Sequence, residues 1–246
     1  MVESGYYDLS VSFVPESSNR VEELAATAGH LGYSGIAINY PANSKISVGD
    51  LDFEDLEIFS AVAIRPKNAS KIHSIVDRYR DRVDLITVCG GIESINRAAI
   101  ENPRVDILTD MNMGRESGFN HVLAKAASDN NVAVAFDLGS LIRLRGGNRV
   151  HALSNFRKNL QLVRKYDVPY LLTSSPQSVY DMRAPRELIA LAALFGMSRE
   201  EAIRGLSTIP EAIISGNRPP EGYLCEGVEI IGTDIEDECS RGDDIV

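Results

Sequence analysis

Seven apolar, β-branched runs, separated by helical patterns and recurring at intervals of roughly 20–30 residues, predict an α/β fold. Most of these runs are continuous rather than alternating. Strands buried on both faces of a parallel sheet read that way. Seven strand-plus-helix units in one chain point to a closed, TIM-like (β/α) barrel, with an open doubly wound sheet as the second choice. A dinucleotide-binding sheet would place GxGxxG after its first strand, and this chain has SVSFVPES there.

The strands are expected at YYDLSV (6–11), GIAIN (35–39), EIFSAVAIR (57–65), VDLITVC (83–89), VDILT (105–109), VAVAFDL (132–138) and PYLLTS (169–174). Helices fill the gaps. SSNRVEELAATAGHLG (17–32) opens on Ser17 or Ser18 as a cap and stops at Gly32. NASKIHSIVDRYRDR follows the third strand with Asn68 as its cap, and SGFNHVLAKAASDNN follows the fifth. In 149–166, Val150, Leu153, Phe156, Leu160 and Val163 recur at three- and four-residue steps and make one apolar stripe. APRELIALAALFG follows the seventh strand and ends at Gly196. Residues 1–218 are therefore expected to form the barrel. Residues 219–246 lose periodicity, gain acid and are expected to be a mobile tail, with one short extended piece at VEIIG.

No run of about 18 or more apolar residues is present, so no membrane span is expected. The start, MVESGYYDLS, lacks the basic-then-apolar order of a secretory signal. Cys89, Cys225 and Cys239 are scattered without CxxC spacing, which fits a reducing cytoplasm and argues against a disulfide framework or zinc cluster.

Charge is unevenly placed. The net charge is -10, yet residues 1–60 hold 2 basic and 10 acidic side chains and residues 219–246 hold 1 and 9. The 158 residues between them therefore carry 22 basic and 16 acidic groups, a balance of +6. Within that middle, RLRGGNRVHALSNFRKNLQLVRKY (143–166) has seven Arg or Lys and no Asp or Glu. Local field, not total charge, selects partners.

In a β/α barrel the functional groups come from the C-terminal strand ends and the loops after them. Metal chemistry reads poorly at those positions. Of four histidines, His30, His73 and His151 fall in or at the start of expected helices, and no clustered His–carboxylate set appears. Ser174 and Ser175 follow a strand without a GxSxG elbow, and no expected strand carries a buried Lys. Arginine is what these positions do supply: Arg65, Arg97, Arg115, Arg143, Arg145, Arg149, Arg183 and Arg186. His121 and Lys125, four apart on one helix face, could touch a single phosphate. Guanidinium groups bind phosphate bidentately and stack on bases, and Tyr40 and Tyr180 could stack as well. The set reads as a rim that binds a polyanion without cleaving it. The helix cations Lys158, Arg164 and Lys165 read as the wet face of an outer helix.

Three stretches carry a resemblance: SGFNHVLAKAASDNNVAVAFDLGSLI, RKNLQLVRKYDVPYLLTSSPQSVYDMRAPRELIALAALFGMSREEAI and LSTIPEAII. They resemble the component 3 family of archaeal ribonuclease P proteins and its eukaryotic counterparts, from the first strand to residue 216. The resemblance implies a seven-stranded TIM-like barrel similar to PHP phosphoesterases. It implies binding to the catalytic domain of the ribonuclease P RNA, with a Pop5-type small subunit in a two-plus-two assembly. The complex removes the 5′ leader of precursor tRNA, and the RNA performs the chemistry with its own magnesium ions. The phosphoesterases open with Asp-x-His-x-His, whereas this chain has Asp8-Leu9-Ser10-Val11-Ser12, so the metal-binding imidazoles are absent. The expectation is an RNA-binding subunit with no catalytic residue and no protein-bound metal. The alternatives are a PHP-type metal-dependent phosphoesterase and a protein–protein scaffold that docks a basic partner on the acidic VGDLDFEDLEIF (48–59).

Overall fold

The computed structural model describes residues 5–13, 21–44, 56–111 and 114–218, and the backbone of 223–225 and 228–229. Seven parallel strands run β1 (Tyr7–Ser12), β2 (Gly35–Pro41), β3 (Glu57–Ile64), β4 (Leu85–Cys89), β5 (Ile107–Thr109), β6 (Ala133–Asp137) and β7 (Tyr170–Thr173), in that spatial order. A parallel sheet in strict sequence order needs each crossover to return on one face, so the helices form an outer ring. They are α1 (Val21–His30), α2 (Ile72–Tyr79), α3 (Glu93–Ile100), α4 (His121–Asp129), α5 (Gly139–Arg143), α6 (Gly146–Tyr166), α7 (Pro185–Ala192), α8 (Arg199–Arg204) and α9 (Thr208–Asn217). The TIM-like α/β reading holds, and every expected strand is present within two residues at each end.

The seam between β1 and β7 carries no ladder among the described residues. Two other devices close it. The turn after α8 feeds both edges: Tyr7 N donates to Leu206 O at 2.7 Å and Leu172 N donates to Gly205 O at 3.0 Å. Asp8, on β1, then accepts from Thr173 Oγ1 at 2.5 Å, Ser174 N at 3.1 Å and Ser174 Oγ at 3.0 Å. Unpaired strand edges invite aggregation, and here both are covered.

The barrel interior alternates small and large: Ala37, Ala61, Ala133 and Ala135 leave room for Leu9, Phe59, Leu85, Ile107 and Leu171. Ile213 and Ile214 of α9 join this cluster, so α9 plugs the N-terminal end of the barrel. Burying each such side chain contributes roughly 1.5–3 kcal/mol. Outward strand residues such as Val62, Val88, Val134 and Phe136 pack beneath α2–α8, while α1 covers Ile36, Ile38 and Tyr40.

Several local expectations change. The proposed caps Ser17 and Ser18 lie outside the described residues. Asn68 makes no side-chain cap bond, because the turn it precedes is 3-10 and the α-helix starts at Ile72. Gly32 (φ 89°) and Gly196 (φ 92°) end their helices in the left-handed region, as expected. Val150 is exposed, and the seam of α6 is completed by buried Asn155 and Asn159. Helices α3, α5, α8 and α9 add to those expected from the sequence pattern. The tail assignment lies outside the described residues except for a backbone hairpin, Tyr223–Cys225 with Val228–Glu229.

Candidate nucleic-acid interface

The C-terminal mouth of the barrel holds two arginines and two aspartates around a cleft of about 210 Å³. Arg65 follows β3, Asp110 follows β5, Asp137 ends β6 and Arg143 ends α5. Arg65 Nη1 meets Asp110 Oδ2 at 3.0 Å, with the arginine side chain 70% exposed. Arg143 Nη2 reaches Asp137 Oδ2 at 3.3 Å, and its Nη1 reaches Ser175 O at 3.4 Å. Both Arg143 contacts are longer than a strong charge-assisted bond. The turn that presents Arg143 needs glycine at 139: a Cβ there would sit 2.0 Å from Ser174 O. Asp110 (φ 61°) and Ser175 (φ 44°) adopt the left-handed backbone, which costs L-residues on the order of 1–2 kcal/mol each.

Asp137 lies almost wholly inside. Desolvation pushes its carboxyl up to about 7, against the opposing pull of the Arg143 charge. Cys89 is buried beneath Asp110, and burial drives its thiol far above its ordinary range. An unreactive thiol is the consequence.

The donors a phosphoesterase metal would need do not fit. Besides the three seam bonds, Asp8 accepts from Ser10 N at 3.1 Å, so both of its oxygens are occupied. Burial raises its pKa, and those hydrogen bonds oppose the rise. Ser10 and Ser12 offer neutral hydroxyls where imidazoles would stand, and the remaining carboxylates face Arg65 and Arg143. Among the described residues, no group of three or more His, Cys, Asp or Glu is placed to hold a metal ion.

Of the sequence-selected cations only Arg65 and Arg143 line this cleft; Arg183 and Arg186 lie toward the strand starts, where Arg183 O accepts from Tyr33 Oη at 2.7 Å and Arg186 shares a hollow with Tyr6 and Gly32. Arg145 and Arg149 both donate to the carbonyls of Ile142 and Leu144, so they cluster beside Arg143 at the α5–α6 corner. Arg183 donates to Tyr180 O and Met182 O. Arg186 sits at the start of α7 by a separate hollow with His30 and Tyr6. Arg97 lies on α3, paired with Glu93 at 3.0 Å and Glu101 at 3.8 Å, so it belongs to an outer helix rather than a loop. Arg115 is exposed in the stretch between β5 and α4. His121 and Lys125 are exposed on α4, with His121 Nδ1 at 3.2 Å from Tyr166 Oη. Tyr180 is 86% exposed, whereas Tyr40 is buried and cannot stack on a ligand as it stands.

The acid-free stretch 143–166 divides in two. Of the three arginines expected in a loop, Arg143 ends α5 and lines the mouth, while Arg145 and Arg149, the latter in α6, stand beside it. Among its helix cations Lys158 and Lys165 are exposed, while two are tied into the structure, Arg157 donating to Leu194 O and Arg164 holding Glu201 bidentately at 2.7 Å through Nε and Nη2. That hydrogen bonding pulls Glu201 down to about 2. Reasoning from sequence names the arginines and leaves their partners Asp110 and Asp137 unassigned. The available signal is position, since both end or follow a strand.

The family model for RNase P subunit p30 matches residues 5–219. The chain is 51% identical over 230 residues to ribonuclease P protein component 3 of Methanococcoides burtonii, covering 94% of this chain and 95% of that one. It is 44% identical to the protein of the same name from Methanosarcina mazei, covering 94% and 98%. A chain in the cryo-EM structure of archaeal ribonuclease P with mature tRNA superposes with a TM-score of 0.74 at 24% identity, covering 94% of this chain and all of that one, which supports the fold. With a family match across essentially the whole barrel and a relative 51% identical over nearly the whole chain, the chain belongs to the RNase P subunit p30 family.

Proposed function

We propose that this protein is a subunit of ribonuclease P that holds RNA against the C-terminal mouth of its barrel while the RNA component cleaves the 5′ leader from precursor tRNA. The observation that carries this reading is the family match over residues 5–219, joined to a mouth lined by guanidinium groups. Arg65 and Arg143 form the inner contact set, with Arg145 and Arg149 beside them and Arg183 further out. Arg97, Arg115, Arg186, His121 and Lys125 extend it over the surrounding loops and helix starts. The protein contributes no catalytic residue and no metal ligand, and magnesium is bound by the RNA. Its partners are the ribonuclease P RNA, a Pop5-type small subunit and, through the holoenzyme, precursor tRNA. The setting is the cytoplasm, and no described helix is long and apolar enough to cross a membrane.

Reconstitution tests this directly. Precursor-tRNA cleavage by the RNA and its protein subunits is measured with and without this chain, then with Arg65→Ala and Arg183→Ala. Omission should lower the rate, and each substitution should reduce the slope of log K against log salt by about one. Variants that match the parent at every salt concentration would remove these residues from the interface.

A further inference from the structure

Beside the arginine cleft lies a second lobe of about 510 Å³. The two share Ser12, Arg65 and Gln177, so they adjoin, with Arg65 in the wall of both. The larger lobe has apolar walls from Phe13, Pro41, Ile64 and Ile75. Phe13 packs against the Tyr40 ring at 4.9 Å, which fixes its plane. Asn39 also lines this lobe and is only 4% exposed. Its Nδ2 donates to Leu9 O at 3.0 Å, while its Oδ1 has no donor. A buried acceptor left unmade costs on the order of 1–3 kcal/mol. The smaller lobe offers a guanidinium on each side, Arg65 with one nitrogen engaged and Arg143 held by two long contacts.

We infer that the mouth is a nucleotide pocket, in which one unpaired RNA nucleotide places its base in the larger lobe and its phosphate between Arg65 and Arg143. The inference rests on the reading of the protein as an RNA-binding subunit and adds a specific site to it. A volume of this order suits a small-molecule ligand held by apolar walls and a few convergent polar groups. Asn39 Oδ1 is closed off from solvent, so the base edge meets the polar groups at the border of the lobe, Ser12 and Gln177, instead. Single-stranded RNA is read in this way, by an aromatic wall and a hydrogen bond to the exposed base edge. The phosphate replaces the weak Arg143 contacts with bidentate ones. Asp110 and the partly protonated Asp137 offset most of the charge of Arg65 and Arg143, so the lobe is only a weak anion site by itself, and the base must contribute.

The test uses the full chain and four nucleoside 5′-monophosphates, with the free nucleosides and inorganic phosphate as separate arms, followed by amide NMR shifts. At least one monophosphate should bind with a Kd of about 1 mM, shifting residues of both lobes, and its nucleoside and phosphate alone should bind at least tenfold more weakly. Ala63→Phe, which fills the larger lobe from β3, should abolish the response, and Phe13→Ala should weaken it several-fold if the bulkier variant misfolds. Equal binding of inorganic phosphate overturns the base assignment. No response at tenfold higher concentration overturns the pocket, and if cleavage still depends on the chain the subunit reading survives that failure. Monophosphate binding combined with parental RNA affinity in the Ala63→Phe holoenzyme overturns the claim that RNA occupies it.

Discussion

The two ends of the barrel use the same chemistry, arginine against aspartate, to opposite effect. At the N-terminal end, Arg80 meets Asp106 at 2.7 Å with only 16% and 10% of the two side chains exposed. The surrounding polar groups are closely engaged. Ile86 N and Asn217 Nδ2 donate to the Asp106 carboxylate, and Arg80 Nη2 donates to Asp84 O. Arg218 forks onto Asp84, which also accepts from Ser60 N and Oγ at 2.7 Å. Burial pushes Asp84 up, but Arg218 and Ser60 outweigh it, and the carboxyl ends below its ordinary range. At the C-terminal mouth the pairs are single-point or long, one arginine is mostly exposed, and Asp137 is raised to about 7. The lesson is that a saturated pair staples α9 and the strand starts together, whereas an unsaturated pair keeps guanidinium donors ready for a ligand. Barrels divide stability and function between their ends in this way.

The largest test of that division is Arg80→Met. Removing one partner of a nearly buried pair leaves Asp106 with an uncompensated charge and should cost about 3–5 kcal/mol. Urea denaturation checks it, and the midpoint should fall without a change in slope. A loss below about 1 kcal/mol would mean that the base is no staple, and the contrast would collapse.

A second test is pH. Asp137 has a folded pKa near 7, above its ordinary value of 3.8, so the folded state binds the extra proton between those limits. Stability from this group is therefore present at low pH and is lost as pH rises from about 4 to about 7, by about 1.4 kcal/mol for each tenfold difference in proton affinity between the folded and unfolded chain. Asp8, also raised, contributes with the same sign. At the other extreme, the depressed groups Asp84 and Glu201 contribute stability that is complete above the ordinary carboxylate range and is lost only in acid. Between pH 5 and 8 the raised carboxylates, Asp137 and Asp8, should supply the carboxylate slope. Asp137→Asn should flatten the decline of stability over that interval in parallel denaturations. An unchanged profile would place the proton elsewhere.

The sequence made the barrel legible because its strands are continuous apolar runs separated by helical patterns, two of them stopped by Gly32 and Gly196. It hid α8 and α9 behind short, weakly periodic segments. A Ser198–Glu201 capping box opens α8, with Ser198 N donating to Glu201 Oε2 at 2.7 Å. The arginines of the mouth were legible by their place after strands. Their carboxylate partners were not, because Asp137 reads as one more apolar-strand terminus until β6 and α5 are seen to meet at Gly139. Position separates Arg143, after a strand, from Arg164, on an outer helix, but no local pattern shows that Arg164 spans to Glu201 thirty-seven residues away. Asn39 is the extreme case: nothing in GIAINYP marks its side chain as an acceptor without a donor. The acidic 48–59 segment falls mostly outside the described residues, so a docking role for it is a separate question.

The smallest expected effect is the most discriminating. A double-mutant cycle on Arg65 and Asp110 measures how strongly the mouth holds its own arginine. With Arg65 70% exposed and one 3.0 Å contact, solvent screens the pair, and the coupling should be about 0.2–1 kcal/mol, shrinking further in salt. Asp110→Gly also relieves a left-handed backbone, so that single variant should lose little stability or gain a few tenths of a kcal/mol. The same cycle on Arg80 and Asp106 should give a several-fold larger coupling that salt barely moves. Equal couplings at the two ends would mean that the guanidinium at the mouth is as firmly committed inside the protein as the one at the base. An arginine committed to its own carboxylate has no donors to give an RNA phosphate, so the interface would then have to be sought among Arg115, Lys125 and the other exposed cations instead.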